Sequence, residues 1–294
     1  MGTLRLGAMC TVTDSATLAR RLDDVVRAEL DCVQITVPLR RSKEEWAALL
    51  GMCAQRGITV AAVGSYANLL EPEDARLHGA TVADVRAAMA ALAAARPVAT
   101  PQVVCWSGTY GATLLAHDAR NQSAAARQAA IAQATALAEE AARMGCRLLI
   151  EPYHTHAFGT TSAITASLRA ALEAAKQPAS PGHSALRVVL DAPNLLTGDD
   201  LADLEPCLDR IIRELSPWAT LVHLKDIATA CSPGEPPDLP PPGRGLIPYP
   251  HYLKILSDAV ADQTPAILEH YDEEDPSALP ELVAFLQRCG WKRA

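Results

Sequence analysis

Residues 122–152, QSAAARQAAIAQATALAEEAARMGCRLLIEP, contain one repeat of the pattern that decides the fold. Gln122–Met144 is built from alanine and other strong helix formers, which predicts a long helix. Gly145 closes it, because a residue without a Cβ takes the left-handed turn that ends helices. Arg147-Leu148-Leu149-Ile150 is then an apolar run of strand length, stopped by Glu151-Pro152. Upstream runs of the same kind are Leu4–Cys10, Cys32–Val37 stopped by Pro38, Ile58–Val63 and Gln102–Trp106. Downstream runs are Leu186–Leu190, Thr220–Val222 and Ala266–Leu268. Helical segments separate them. Leu18, Leu22, Val25, Val26 and Leu30 recur at helical spacing, and Ser42 to Glu45 reads as a capping box for a helix that ends near Gly57. Thr81–Arg96, Ser162–Lys176, Leu201–Leu215 and Pro276–Cys289 are further helical segments, and a loop is predicted after Val63 through Asn68 and Pro72.

Strands alternating with helices imply right-handed crossovers and a parallel sheet. Eight such units within 294 residues predict an α/β protein with a single eight-stranded parallel (β/α)8 TIM barrel over residues 1–294. A doubly wound open sheet is disfavoured, since no Gly-x-Gly-x-x-Gly follows the first strand. The proline- and glycine-dense segment Ser232–Pro250 reads as a stiff, extended loop on the C-terminal side of strand seven.

The formal charge is −8, with 49% hydrophobic and 20% charged residues. This composition is globular, and an acidic chain has no general attraction to nucleic acid or anionic membranes. No apolar stretch reaches the roughly 18 residues of a transmembrane helix. The N-terminus runs into a strand without a secretory signal pattern, so a cytoplasmic protein is expected. The 8 cysteines form no Cys-x-x-Cys pair and read as buried thiols rather than a disulfide frame or zinc cage.

Four ionisable residues stand at equivalent places. Glu151, Asp191, His223 and Glu269 each follow an apolar run, at the ends of strands five to eight. In a barrel those ends converge on the face that carries active sites. Three carboxylates brought together repel one another unless a cation neutralises them. Three oxygen ligands and one imidazole predict one divalent ion, Mn²⁺ first, with Mg²⁺, Co²⁺ or Zn²⁺ as alternatives.

The segments Ile150-Glu151-Pro152, Leu190-Asp191-Ala192-Pro193-Asn194-Leu195, Val222-His223-Leu224-Lys225-Asp226, Pro242-Gly243-Arg244-Gly245 and Leu268-Glu269-His270 resemble the xylose-isomerase-like barrel family. The resemblance covers most of the chain. Its N-terminal half rests on Gly64-Ser65-Tyr66-Ala67-Asn68-Leu69 and Trp106-Ser107-Gly108-Thr109-Tyr110. That family holds sugar and sugar-phosphate isomerases and epimerases, related dehydratases and endonuclease IV. The resemblance maps Glu151, Asp191, His223 and Glu269 onto the metal ligands, and Glu151 and Glu269 onto the acid/base pair. Two departures stand out. Asn194 occupies a place where many ketose epimerases of this type carry histidine. Endonuclease IV needs histidines from early strands, whereas the first half of this chain has only His78 and His117, neither at a strand end.

Other candidates surround the quartet. His154 and His156 follow Glu151; His156, Asn194, Lys225, Asp226, Arg244 and Trp106 are expected to bind substrate. Asp226 is also placed to orient the His223 imidazole, and Arg244, between two glycines, to reach a phosphate or hydroxyl. Tyr110 joins Trp106 as an apolar wall for a sugar ring. The acidic run 272–275 reads as the charged start of the last helix. The expected activity is isomerisation or epimerisation of a sugar or sugar phosphate through an enediolate, with one glutamate removing a proton and the other returning it. The alternatives are a dehydratase of a keto-polyol on the same site and a non-catalytic sugar-binding barrel. The expected partner is a small sugar or polyol, with no nucleic acid and no membrane, and self-association into a homo-oligomer is left open.

Overall fold

The computed structural model describes residues 3–36, 42–75, 80–95, 100–113, 116–177, 184–228 and 238–293. Eight parallel strands close into a barrel in the order β1 to β8. They are β1 Arg5–Thr11, β2 Cys32–Thr36, β3 Thr59–Asn68, β4 Gln102–Trp106, β5 Arg147–Glu151, β6 Leu186–Leu190, β7 Ala219–Leu224 and β8 Pro265–Leu268. The helices are α1 Ser15–Arg27, α2 Lys43–Gln55, α3 Val82–Ala95, α4 Ala124–Met144, α5 Thr161–Ala174, α6 Leu204–Leu215, α7 Tyr249–Ala259 and α8 Ala278–Arg288. Among the described residues no helix is long and apolar enough to cross a membrane. Pro38, His78 and Cys231, and residues 232–237 of the proline-rich loop, lie outside the described residues.

Local signals place the helices. Asp14 caps α1 by accepting the Thr17 N–H at 2.7 Å, and Leu18, Leu22 and Val25 bury its inner face. Ser42 and Glu45 form the expected capping box, with Ser42 N–H to Glu45 Oε2 at 2.6 Å. Ala126, Ala130, Ala134, Ala138 and Ala141 form the buried stripe of α4, and their small side chains let the helix lie close to the barrel wall. The predicted α6 begins three residues late, because Gly198–Asp203 winds as a tighter 3₁₀ segment.

Two apolar clusters divide the core. The larger one lies between sheet and helices. The smaller one fills the barrel and draws on every strand: Met9, Cys32, Ala62, Val104, Leu149, Val189, Leu221 and Ile267 mark the inward phase. Side chains alternate along a strand, so Trp106, Glu151, Asp191 and His223, two residues further on, also point inward.

Strand β3 departs from the sequence expectation. It continues five residues past Val63 to Asn68, where a loop was expected. Pairing with β4 shifts register between Gly64 and Asn68, and Tyr66 sits at φ +54°. The chain bulges here, which swings the Tyr66 ring into the barrel against Trp106, 5.2 Å between centroids. Gly64 makes room: a Cβ there would lie 2.7 Å from the Tyr66 ring.

Candidate active site

At the C-terminal end of the barrel, Glu151, Asp191 and His223 offer ligand atoms within 4.8 Å of one another, all three side chains buried. His223 Nδ1 is 3.4 Å from Glu151 Oε2 and 3.3 Å from Asp191 Oδ2. Glu269 Oε1 lies 3.0 Å from the same nitrogen. Glu269 therefore meets the trio through His223, while its other oxygen is 2.8 Å from Lys225 Nζ. Lys225, 3% exposed, also donates to Asp191 Oδ2 at 2.6 Å, so one buried ammonium bridges two carboxylates. Asn194 donates to Glu151 Oε1 at 3.1 Å and Asp191 Oδ2 at 2.8 Å. Its amide thus holds the two carboxylates in one orientation.

The side of His223 away from the carboxylates is fixed by Gln34. The Gln34 amide nitrogen donates to the Tyr66 hydroxyl at 2.7 Å, which turns its oxygen to His223 Nε2 at 3.0 Å. Nε2 is then the donor, and Nδ1 faces three carboxylates. In the neutral tautomer that nitrogen presents a lone pair to acceptors, a repulsive arrangement that a proton or a cation relieves. Glu151 Oε2 and Asp191 Oδ1 are buried and unpaired in hydrogen bonds. Two carboxylates and an imidazole with spare lone pairs directed to one point fit a divalent cation. Glu151, Asp191 and His223 are the residues that would hold it.

Gln34 did not emerge from the sequence as a candidate. The signal was there: an amide in the apolar run Cys32-Val33-Gln34-Ile35, on the inward phase of β2, has to find partners inside the barrel. Asp226, expected to orient His223, has a different job. Its carboxylate accepts the N–H groups of Ile227, Gly243 and Ile247, each at 2.9 Å, and so pins the loop after β7 to the barrel. Gly245 permits this approach, because a Cβ there would lie 2.4 Å from Asp226 Oδ1. Arg244 is exposed and lines a surface cleft with Tyr271, Asp272, Phe285 and Arg288. Gly243, at φ +80°, packs where a side chain would strike the Phe285 ring, and the turn carries Arg244 outward.

Trp106, Tyr66, Tyr153 and His156 form an aromatic wall beside Glu151. Trp106 is paired in register with Glu151, and the His156 ring stands edge-on to it at 5.5 Å. His156 is fully buried, whereas His154 is half-buried, with Nδ1 beside the Asn194 carbonyl at 3.3 Å. His117 is exposed and distant in sequence from any strand end.

Burial and neighbouring charge compete in setting the ionisation of the site. Burial pushes Glu151 up to about 7, against the attraction of His223. It opposes a charge on His223, but Glu269 and Glu151 outweigh it and raise the imidazole to about 9. Burial works against Lys225 as well, and Asp191 and Glu269 hold it above the ordinary ammonium range. Asp191 is held below the usual carboxylate range despite burial, by Lys225 and His223.

Two expectations follow. A cation must displace the His223 proton below pH 9 and the Glu151 proton below pH 7, so its apparent affinity should rise with pH and level off near pH 9. Calorimetry in buffers of different ionisation enthalpy should show more protons released per Mn²⁺ at pH 6 than at pH 8. Equal release at both would contradict this. Second, Gln34→Met removes the acceptor for Nε2–H and should weaken Mn²⁺ binding about 10–100-fold, while Gln34→Glu, which keeps an acceptor, should stay near wild type. Titration of the three proteins decides it.

The sequence matches the family model of the xylose isomerase-like TIM barrel over residues 22–289. No curated protein matches it. Among solved structures, a xylose isomerase-like TIM barrel protein from Mycobacterium smegmatis in complex with magnesium superposes with a TM-score of 0.64 at 17% identity, covering 94% of this chain and 89% of that one. A D-allulose 3-epimerase from Methylomonas sp. in complex with D-allulose gives 0.64 at 13% identity, with 98% of each chain covered. The probable 3-DHS dehydratase AsbF from Bacillus anthracis gives 0.61 at 13% identity over 95% of this chain and 98% of that one. With the family model spanning nearly the whole barrel and its strand-end carboxylates and histidine, the chain belongs to the xylose isomerase-like TIM barrel family.

Proposed function

We propose that this protein is a divalent-metal-dependent epimerase or isomerase of a sugar or related polyhydroxy ketone. The observation that carries the reading is His223 Nδ1 facing three carboxylates with its other nitrogen committed to Gln34. Glu151, Asp191 and His223 would hold a divalent cation, which would supply Lewis acidity to a substrate carbonyl. Glu151 and Glu269 approach from different walls, β5 and β8, yet both lie within 3.4 Å of the same nitrogen. One of them removes the proton beside the carbonyl and the other returns it at the neighbouring carbon or on the opposite face. Lys225 holds Glu269 in place, and Asn194 holds Glu151. The wall of Trp106, Tyr66 and Tyr153 gives the apolar C–H face of a sugar a surface to lie on. The similarity to a D-allulose 3-epimerase supports this reading.

Dehydration is the second reading. The buried Lys225 ammonium, 2.8 Å from Glu269, is a proton donor beside a proton carrier, as departure of a β-hydroxyl requires. The similarity to a probable dehydratase accords with it. One experiment separates the readings. Incubation with Mn²⁺ in deuterated water across ketoses, keto-polyols and their phosphates, read by mass spectrometry, should show uptake of one deuteron for an epimerase or isomerase. Loss of water marks a dehydratase. Neither change with any substrate, although the sugars bind, leaves a sugar-binding barrel and overturns the enzyme reading.

A further inference from the structure

At the N-terminal mouth of the barrel, opposite the candidate active site, two arginines have no carboxylate partner among the described residues. Arg147 opens β5, and Arg187 is the second residue of β6. Both share the inward phase of Leu149 and Val189, two residues nearer the N-terminal end of their strands. Arg187 is 2% exposed. Its side chain donates to Ser184 Oγ at 2.8 Å, and its buried Nε has no hydrogen-bond partner. Among the described residues neither arginine has a carboxylate within ion-pair distance. The contrast within the same molecule is clear. Arg21, the other arginine buried this deeply among the described residues, meets Glu273 at 3.1 Å and Glu274 at 2.5 Å. Arg5, on the same rim of the barrel, pairs with Asp31 at 2.8 Å.

A buried guanidinium without an anion is costly, because it has given up water and gained no opposite charge. Here a buried and a half-buried guanidinium stand on neighbouring strands, with Arg187 in register with Leu149, two residues along β5 from Arg147. Burial lowers both guanidinium pKa values, and the Arg147 charge lowers that of Arg187 further, to about 10. That value still leaves Arg187 charged at neutral pH. The surroundings are polar and ordered. Gln102, in register with Arg147, donates to the Ala61 carbonyl at 2.9 Å and accepts the Thr220 hydroxyl at 2.6 Å. The short segments that flank this mouth in sequence, 96–99 and 178–183, contain no aspartate or glutamate.

We propose that Arg147 and Arg187 form a binding site for a small tetrahedral oxyanion of the phosphate class at the N-terminal mouth of the barrel, with Ser184, whose hydroxyl donates to the Leu186 carbonyl, accepting from Arg187 and orienting it. The half-buried Arg147 meets the anion at the opening, and Arg187 completes the site from inside. The site lies four residues below Glu151 on β5 and Asp191 on β6, so it is separate from the catalytic end.

Thermal unfolding in inorganic phosphate, sulfate, acetate and chloride at matched ionic strength tests it. Phosphate and sulfate should raise the wild-type Tm by at least about 2 °C over chloride and acetate at tens of millimolar. In Arg147→Gln and in Arg187→Met that excess should vanish. In chloride, Arg187→Met should melt no lower than wild type, because it removes an uncompensated buried charge. Arg147→Gln, changed at a half-exposed position, keeps the test open should Arg187→Met fold poorly. General salt exclusion from the protein surface would stabilise all three proteins equally, and that result would overturn the site. So would an absence of any phosphate excess in wild type.

Discussion

Glu151→Gln and Glu269→Gln should each keep the cation yet lose at least about a hundredfold in turnover, the usual size of a general-base contribution. Glutamine preserves the length of the side chain and one ligating oxygen but lacks the basic carboxylate that takes a proton and returns it. Glu151 has a second duty, since its Oε1 accepts from Asn194 and its Oε2 faces His223. Its variant should therefore bind Mn²⁺ somewhat more weakly as well. Glu269 meets His223 and Lys225 and stands outside the tight trio, so its variant should bind Mn²⁺ almost as wild type does. His223→Ala should behave in the opposite way, losing the metal first and regaining part of its activity in excess ion. Metal content and substrate deuterium exchange, measured on the same preparations, separate the cases. Exchange at near wild-type rate in both glutamine variants would move proton transfer to another group, with His156 and Lys225 next to be tested.

Lys225→Met should give the largest stability effect, and its size should depend on metal. Lys225 balances Asp191 and Glu269 from a position 3% exposed. Removing one partner of a buried ion pair costs roughly 3–5 kcal/mol, because the remaining charges have neither water nor a counter-ion. The metal-free variant should therefore melt well below metal-free wild type. A divalent cation restores positive charge among the same carboxylates, so saturating Mn²⁺ should recover a large part of the loss. The double variant Lys225→Met/Glu269→Gln should also be less impaired than the two single losses added together, as expected for groups in direct contact. Melting curves of wild type, the two single variants and the double variant, with chelator and with Mn²⁺, provide these comparisons. A Lys225→Met protein equally stable with and without metal would show that the ammonium and the cation do not share one electrostatic site.

The strand ends were the most legible part of the molecule. A parallel strand packed on both faces must be apolar along its length, so an ionisable residue stands out where the strand leaves the core. Glu151, Asp191, His223 and Glu269 each follow such a run, and the barrel brings all four together. Gln34 and Asp226 show the limit. Both are polar residues in or beside apolar runs, but their partners come from elsewhere in the chain. The bond from His223 to Gln34 spans 189 residues. Nothing local to Asp226 indicates that three backbone N–H groups, two of them from a loop 17 and 21 residues later, will claim its carboxylate.

The sequence by itself determined the number and order of the strands, the capping box that starts α2 and the four strand-end residues. These follow from rules of short range: hydrophobic period, capping chemistry, and the free energy gained by burying an apolar run. Tertiary structure alone decided which nitrogen of His223 faces the carboxylates, that β3 bulges to bring Tyr66 inside, that Arg244 turns outward, and that Arg147 and Arg187 meet without an acid. Those outcomes depend on closure of the barrel. Only closure sets strands distant in sequence side by side and removes the water that would otherwise satisfy each polar group, leaving every buried donor, acceptor and charge to be matched across the barrel.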